Sequence, residues 1–179
     1  MRPQSTSEVS RILKYCNSRM IGVVPQGGNT GLTGGSVPVE CEVVLSLEKM
    51  RDIHSLDPTT GILTCDAGCI LQNLIDFAAA QDHLVPVDLG AKGTCQIGGN
   101  ISTNAGGSFY FRYGSLHANV VGLEVVLANG DILDMGFTTA NLKDNTGYDM
   151  KHLFIGAEGT LGIGKFVLDC FVFFILGND

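Results

Sequence analysis

Glycine sets the terms on which this chain can fold. It supplies 24 of the 179 residues, about twice the usual share. Seventeen of those 24 fall into three clusters. The first is Gly27-Gly28-Asn29-Thr30-Gly31-Leu32-Thr33-Gly34-Gly35-Ser36, directly after an apolar run. The second extends from Gly90 to Gly114 around Ile97-Gly98-Gly99-Asn100 and Asn104-Ala105-Gly106-Gly107. The third extends from Gly147 to Gly164 around Gly156-Ala157-Glu158-Gly159-Thr160-Leu161-Gly162. With no collagen period and no Gly/Ser linker, the folded backbone itself must need them. A loop without Cβ atoms lets successive N–H groups converge on an anion and lets a flat ring approach the main chain. Such a cradle holds a pyrophosphate without basic side chains, and three of them imply an extended ligand. Tight turns of a compact domain are the competing reading, and the Asn and Thr within the clusters weigh against it.

The remaining composition narrows the class. Hydrophobic residues make up 45% of the chain and charged ones 16%, which suits a packed core. The net charge is −7 with no Lys/Arg cluster, which argues against a nucleic-acid or anionic-membrane surface. The longest apolar stretch, Phe166–Leu176, is too short for a bilayer and contains Asp169. Six cysteines at irregular spacings form no C-x-x-C and no zinc set; they read as reduced, mostly buried thiols of an intracellular protein. No G-x-G-x-x-G occurs. Gly159 to Lys165 has most of a Walker A spacing, but Phe166 stands where a Ser/Thr would hold magnesium.

Ser5 with Glu8 marks a helix start, and Val9, Ile12, Leu13 and Cys16 give its apolar stripe. Met20–Pro25 and Val43–Leu47 read as strands. Ile53–Leu56 and Ile62–Cys65 read as a hairpin turning over Asp57–Gly61. Ile70, Leu71, Leu74, Ile75 and Ala78 predict a helix ending near Asp82. Val120–Ala128 and Asp131–Met135 flank the hairpin signal Asn129-Gly130. Asp149–Phe154 reads as a short helix and Ile163–Ile175 as one or two strands. Strands and helices mix without strict βαβ alternation, so the fold class is α+β.

Three motifs tie the chain to a family. Pro25-Gln26-Gly27-Gly28-Asn29-Thr30-Gly31 resembles the pyrophosphate loop of the vanillyl-alcohol-oxidase or PCMH-type flavoproteins. Ile97–Asn100 through Asn104–Gly107 resembles their second FAD motif, and Gly156–Ile163 their S-E-G-T-L-G-I motif. Asp88-Leu89-Gly90-Ala91-Lys92-Gly93 and Lys143–Asp149 are similar to the D-2-hydroxyglutarate dehydrogenases within that family. The resemblance runs from about Arg2 to Ile163.

It implies a PCMH-type FAD-binding domain over 1–163, built from two α+β subdomains with non-covalent FAD between them. Gly27, Gly28, Asn29, Thr30 and Gly31 would hold the pyrophosphate, with Gly34, Gly35 and Ser36 continuing the cradle. Pro86, Gly90, Gly93, Gly99, Asn100, Thr103, Asn104, Gly106 and Gly107 would line the ribityl and isoalloxazine path. Tyr113, Gly114, Gly159, Gly162 and Ile163 would close over the remainder. The implied chemistry is hydride transfer from C2 of a 2-hydroxy acid to flavin N5, with an electron-transfer flavoprotein as acceptor, a mitochondrial location and a homodimer in the full-length protein. D-lactate or glycolate as substrate, or a non-catalytic flavin-binding fragment, are the alternatives. The family's metal ligands, substrate contacts and catalytic base lie mainly in a C-terminal cap domain expected to be absent here.

The departures are specific. Residues 164–179 read as a divergent hydrophobic tail whose run Phe171–Leu176 is aggregation-prone if no partner strand covers it. Ser108–Phe111 leaves the family pattern, Gln96 stands where the family usually has His, and Thr138–Asn141 resembles an insertion. No catalytic residue and no metal ligand is assigned. His117 is expected to fix its loop by a hydrogen bond, His83 to sit at a helix C-terminus and Glu158 to cap a turn. Arg112 is expected to meet a carboxylate or phosphate, or to form a surface ion pair. His54 and His152 are expected to be structural or exposed. Cys65 and Cys69 are expected to pack a strand on a helix.

Overall fold

The structure is a computed structural model that describes residues 1–136, 145, 147–165, 170–171 and 173–174. Thr138–Asn141, Lys143, Asp144 and Thr146, together with the greater part of the tail, lie outside the described residues.

Helix α1 (Thr6–Ser18) starts where its sequence says. Ser5 Oγ accepts from the Glu8 N–H at 3.3 Å, and the Glu8 carboxylate accepts from the Gln4 N–H at 2.8 Å. Two free N–H groups are thereby satisfied. Val9, Leu13 and Cys16 bury one face. Met20 was expected to begin a strand. It instead takes φ 56, and Ile21 N–H bonds back to the Cys16 carbonyl at 2.9 Å, so the left-handed turn closing the helix consumes it. Strand β1 is therefore Val23–Gln26. It pairs in parallel with β2 (Val43–Ser46), Val23 opposite Val43.

The hairpin of β3 (Ile53–Asp57) and β4 (Ile62–Cys65) forms as expected. Asp57 Oδ1 accepts from the N–H groups of Thr59 and Thr60, and those bonds hold its carboxyl below the usual range. Helix α2 (Leu71–Ala79) buries Leu71, Leu74 and Ala78. His83 follows the C-terminal end of α2, as expected. It lies in β5 (His83–Leu84), 3% exposed, with Nδ1 on the Gln81 carbonyl.

A short helix, α3 (Ile97–Ser102), occupies what the glycine content marked as loop. Gly98 and Gly99 are poor helix formers, but Ile97 and Ile101 are fully buried, and Gly98 N–H reaches the Ala67 carbonyl at 2.9 Å. Tertiary packing overrides propensity here. Two more short helices follow, α4 (Tyr110–Tyr113) and α5 (Leu116–Asn119). Strands β6 (Leu123–Val126) and β7 (Ile132–Met135) make the hairpin expected at Asn129-Gly130, though β6 is shorter than the apolar run around it. Helix α6 (Lys151–Phe154) and strands β8 (Ile163–Lys165), β9 (Cys170–Phe171) and β10 (Phe173–Phe174) complete the chain.

The sheets are β1-β2, β10-β5, β3-β4-β9 and β7-β6-β8. Two pieces of the tail thus find partner strands within the chain: β9 pairs with β4 and β10 with β5. One continuous core joins α1, β2, β4, α2, α3 and β6 through fully buried Val9, Leu45, Leu63, Leu74, Ile101 and Leu123. Among the described residues, no helix is long and apolar enough to cross a membrane. Of the described cysteines, Cys16, Cys65, Cys69 and Cys95 are buried and Cys41 is exposed.

Candidate functional site

The three glycine clusters, far apart in sequence, meet around one cavity of about 360 Å3. Strand β1 delivers the first. Parallel pairing with β2 demands a long crossover, and residues 27–42 make it without any helix. That crossover staples itself: Gln26 Nε2 donates to the Ser36 carbonyl at 2.9 Å, and Ser36 Oγ to Asn29 Oδ1 at 2.7 Å. It also lies directly on the second cluster. A Cβ on Gly28 would stand 2.2 Å from the Thr94 carbonyl oxygen, and one on Gly27 would stand 3.6 Å from Gly99 Cα. The third cluster docks on both. A Cβ on Gly159 would strike Pro25 at 2.4 Å, while Gly156 N–H and Glu158 N–H bond to the Ile101 and Ser102 carbonyls at 3.0 and 2.8 Å.

Other glycines face the empty space. A Cβ built on Gly31, Gly90 or Gly99 meets nothing within 4 Å, and all three line the cavity. Its wall carries Leu47, Leu89 and Cys95 as apolar surface and Glu158 as its one charged side chain. No Lys or Arg reaches it among the described residues. An anion held here would be held by backbone N–H dipoles. Burial pushes the Cys95 thiol up from its ordinary range, and Asn100 Nδ2 lies 3.6 Å from its sulfur. The thiol is therefore neutral and a poor nucleophile.

Of the residues singled out from the sequence, Gly27, Gly28, Asn29, Thr30, Gly31, Gly35, Ser36, Gly90, Gly99, Asn100, Thr103, Gly159, Gly162 and Ile163 line the cavity. Gly34, Pro86, Gly93, Asn104, Gly106, Gly107, Tyr113 and Gly114 do not. Gly107 shows why: it has φ +71, and a Cβ there would stand 2.1 Å from the Asp88 carbonyl oxygen. Its absence lets Ser108 bond to both the backbone and the carboxylate of Asp88. Lys92 Nζ takes the other carboxylate oxygen at 2.9 Å. Lys92 and then Ser108 hold Asp88 below the usual carboxylate range. Asp88 and Lys92 thus brace a segment whose Leu89, Gly90 and Ala91 line the cavity. Residues that sequence reasoning missed include Gln26, Leu47, Leu89, Cys95, Gln96 and Ser102. The signal for most was adjacency to a glycine motif; nothing in the sequence marked Leu47.

The histidines lie apart from the cavity. His117 Nδ1 meets His152 Nδ1 at 2.7 Å, which ties α5 to α6. His152 Nε2 sits 3.2 Å from an Asp149 carboxylate oxygen that Lys151 also contacts. One Nδ1 must be unprotonated for the bond to exist. Burial, then His152, lowers His117 below the ordinary histidine value of about 6.5. A depressed native pKa gives stability that is full above pH 6.5 and lost as pH falls through the native value. Thermal melts between pH 7.5 and 5.5 should show that loss, and His152→Gln should reduce it. An equal loss in both proteins would reject this assignment. Arg112 makes no ion pair among the described residues; its guanidinium lies 5.3 Å from the Tyr113 ring centroid. Glu158, expected to cap a turn, holds φ 53 on the cavity wall. His54 Nε2 pairs with Asp66 Oδ1 at 2.9 Å.

Comparison with known proteins gives the same picture. The chain is 64% identical over 161 residues to the probable mitochondrial D-2-hydroxyglutarate dehydrogenase of Oryza sativa, covering 90% of this chain and 28% of that protein. It is 61% identical, over the same shares, to the mitochondrial D-2-hydroxyglutarate dehydrogenase of Arabidopsis thaliana. The chain therefore spans between a quarter and a third of the length of these curated relatives. A solved structure of alkyldihydroxyacetonephosphate synthase superposes with a TM-score of 0.82 at 23% identity, over 96% of this chain and 33% of that one. That likeness concerns the fold, and it agrees with the α+β, PCMH-type architecture expected from the sequence. Residues 1–136 match the FAD binding domain family, and with most of its length inside that match the chain belongs to it.

Proposed function

We propose that the cavity binds FAD non-covalently and that residues 1–163 form the FAD-binding part of a mitochondrial enzyme oxidising D-2-hydroxyglutarate to 2-oxoglutarate. The observation that carries this reading is the convergence of three glycine clusters on one cavity that has open space in front of Gly31, Gly90 and Gly99. A cradle without basic side chains suits a pyrophosphate bound through N–H groups. The cavity volume lies within the range of small-molecule sites. The relatives' names supply the substrate and the compartment.

On this reading the backbone of Gly27–Gly31, with that of Gly35 and Ser36, holds the pyrophosphate. Leu47, Leu89 and Cys95 exclude water from the flat ring. The neutral Cys95 thiol forms no bond to it. When bound, FAD supplies the acceptor for the hydride leaving C2 of the hydroxy acid. The substrate contacts, the metal ligands and the base are assigned to the part of the longer relatives that this chain does not span. An electron-transfer flavoprotein is the acceptor implied by the resemblance, and a homodimer the assembly of the full-length protein.

The test is the visible spectrum of the purified chain, alone and after titration with FAD, followed by acid precipitation. Flavin bands that travel with the protein and pass to the supernatant on acid treatment are the expected result. A folded chain that stays colourless and takes up no added FAD would reject the reading. In the full-length protein, bleaching by D-2-hydroxyglutarate but not by D-lactate or glycolate is expected.

A further inference from the structure

We infer that Gln96 contacts the cofactor directly, its side-chain carboxamide hydrogen bonding to a hydroxyl or ring N–H of the flavin nucleotide. The inference rests on the cavity being the FAD site. Gln96 is 8% exposed, and its main chain is held on both sides. Its carbonyl accepts from the Asn100 N–H at 3.1 Å, opening α3. The same residue bridges to Ile70, and its neighbours Cys95 and Ile97 are 2% and 0% exposed.

Yet Gln96 Oε1 is buried with no hydrogen-bond partner. A buried carboxamide is normally paired, because an orphaned one forfeits its water without replacement. Several other polar groups of the wall are satisfied from within. Gln26 serves Ser36, Ser36 serves Asn29, and Thr103 Oγ1 reaches the Gly99 carbonyl at 3.0 Å. Gln96 and Asn100 are the two buried polar side chains among the described lining residues. Asn100 donates to Cys95 Sγ; Gln96 Oε1 has no partner.

Gln96 is one of the residues that line the cavity. A Cβ built on Gly27 stands 3.6 Å from Gln96 Oε1, so the oxygen lies beside a side chain that Gly27 lacks. Exchanging the amide oxygen and nitrogen leaves an orphaned nitrogen in the same place. Either orientation therefore calls for a hydrogen-bonding ligand atom. The oxygen requires a donor, which phosphate oxygens cannot provide and the cofactor's hydroxyls and ring N–H can. A hydroxyl also serves the exchanged amide.

The test is FAD affinity, read by fluorescence titration, together with the melting temperature of the ligand-free chain. Gln96→Met keeps the length of the side chain and removes its polar atoms. We expect about tenfold weaker FAD binding, from the loss of one hydrogen bond in a water-excluded site. The ligand-free melting temperature should be no lower than the wild type's, because the orphan is gone. Gln96→His, which keeps a polar edge, should bind within about threefold of the wild type on the same argument. Unchanged affinity in Gln96→Met overturns the inference and leaves the FAD reading standing. A fall in ligand-free stability with equal affinity losses in both variants also overturns it, because that is the pattern of a purely structural residue. A wild-type chain that binds no FAD removes both.

Discussion

Replacing Gly99 with alanine is expected to weaken FAD binding by about 10- to 100-fold while leaving the ligand-free chain at least as stable as before. The two effects have separate causes. Gly99 sits inside α3, where alanine is favoured over glycine by roughly 0.5–1 kcal/mol. Its new Cβ would meet no protein atom within 4 Å, so the empty fold pays no steric penalty. That Cβ projects from a residue lining the cavity, where a bound nucleotide must lie against the backbone. Overpacking of a close contact costs about 1–3 kcal/mol, which gives the stated loss of affinity. Thermal melts of the ligand-free protein and a fluorescence titration with FAD measure the two quantities independently. Full affinity in Gly99→Ala would put the nucleotide elsewhere.

Gly28→Ala should behave in the opposite way: the chain itself loses about 3 kcal/mol of stability before any ligand is added. The Cβ would lie 2.2 Å from the Thr94 carbonyl oxygen and 2.9 Å from Cys95 Cα. Both are main-chain atoms, so no rotamer change relieves the clash. Either the crossover lifts off the second cluster or the 94–95 segment moves. For a chain of this size such a loss lowers the melting temperature by roughly 6–12 °C. Calorimetry or urea unfolding of the ligand-free protein checks it, and a melting temperature within a degree of wild type would contradict the packing described.

Gly28 and Gly99 both line the cavity, and nothing in their one-letter context separates the glycine whose Cβ would clash from the one whose Cβ would not. The difference lies in which neighbour stands opposite, and that is set by long-range packing. Local features read more faithfully. The cap at Ser5 and Glu8, the hairpin at Asp57–Gly61 and the turn at Asn129-Gly130 are each decided within a few residues. The last is further secured by tertiary contact, since a Cβ on Gly130, already at φ +88, would strike α1 at Lys14 and Ser10. Helix α3 was illegible because its glycines speak against it and its support comes from Ala67 and a buried isoleucine pair. Met20 looked like a strand residue by hydropathy alone, while the turn it closes is backbone geometry. For the candidate site, the three clusters were visible and their meeting point was not. Gly107 was grouped with the cofactor loops for its motif, although its position is dictated by Asp88. Gln96 drew notice only as a departure from a family pattern; its unpaired oxygen needs coordinates to be seen.

The wall of the cavity spans Pro25 to Gly164, which has a consequence in time. A ribosome adding about 5–20 residues per second needs roughly 7–30 s to pass from the first of these positions to the last. During that interval the crossover loop precedes the segments that brace it. No nascent intermediate ending before Gly164 has a complete wall. The site is therefore completed late relative to its first loop, and a cofactor meets a full wall only once Gly164 has emerged.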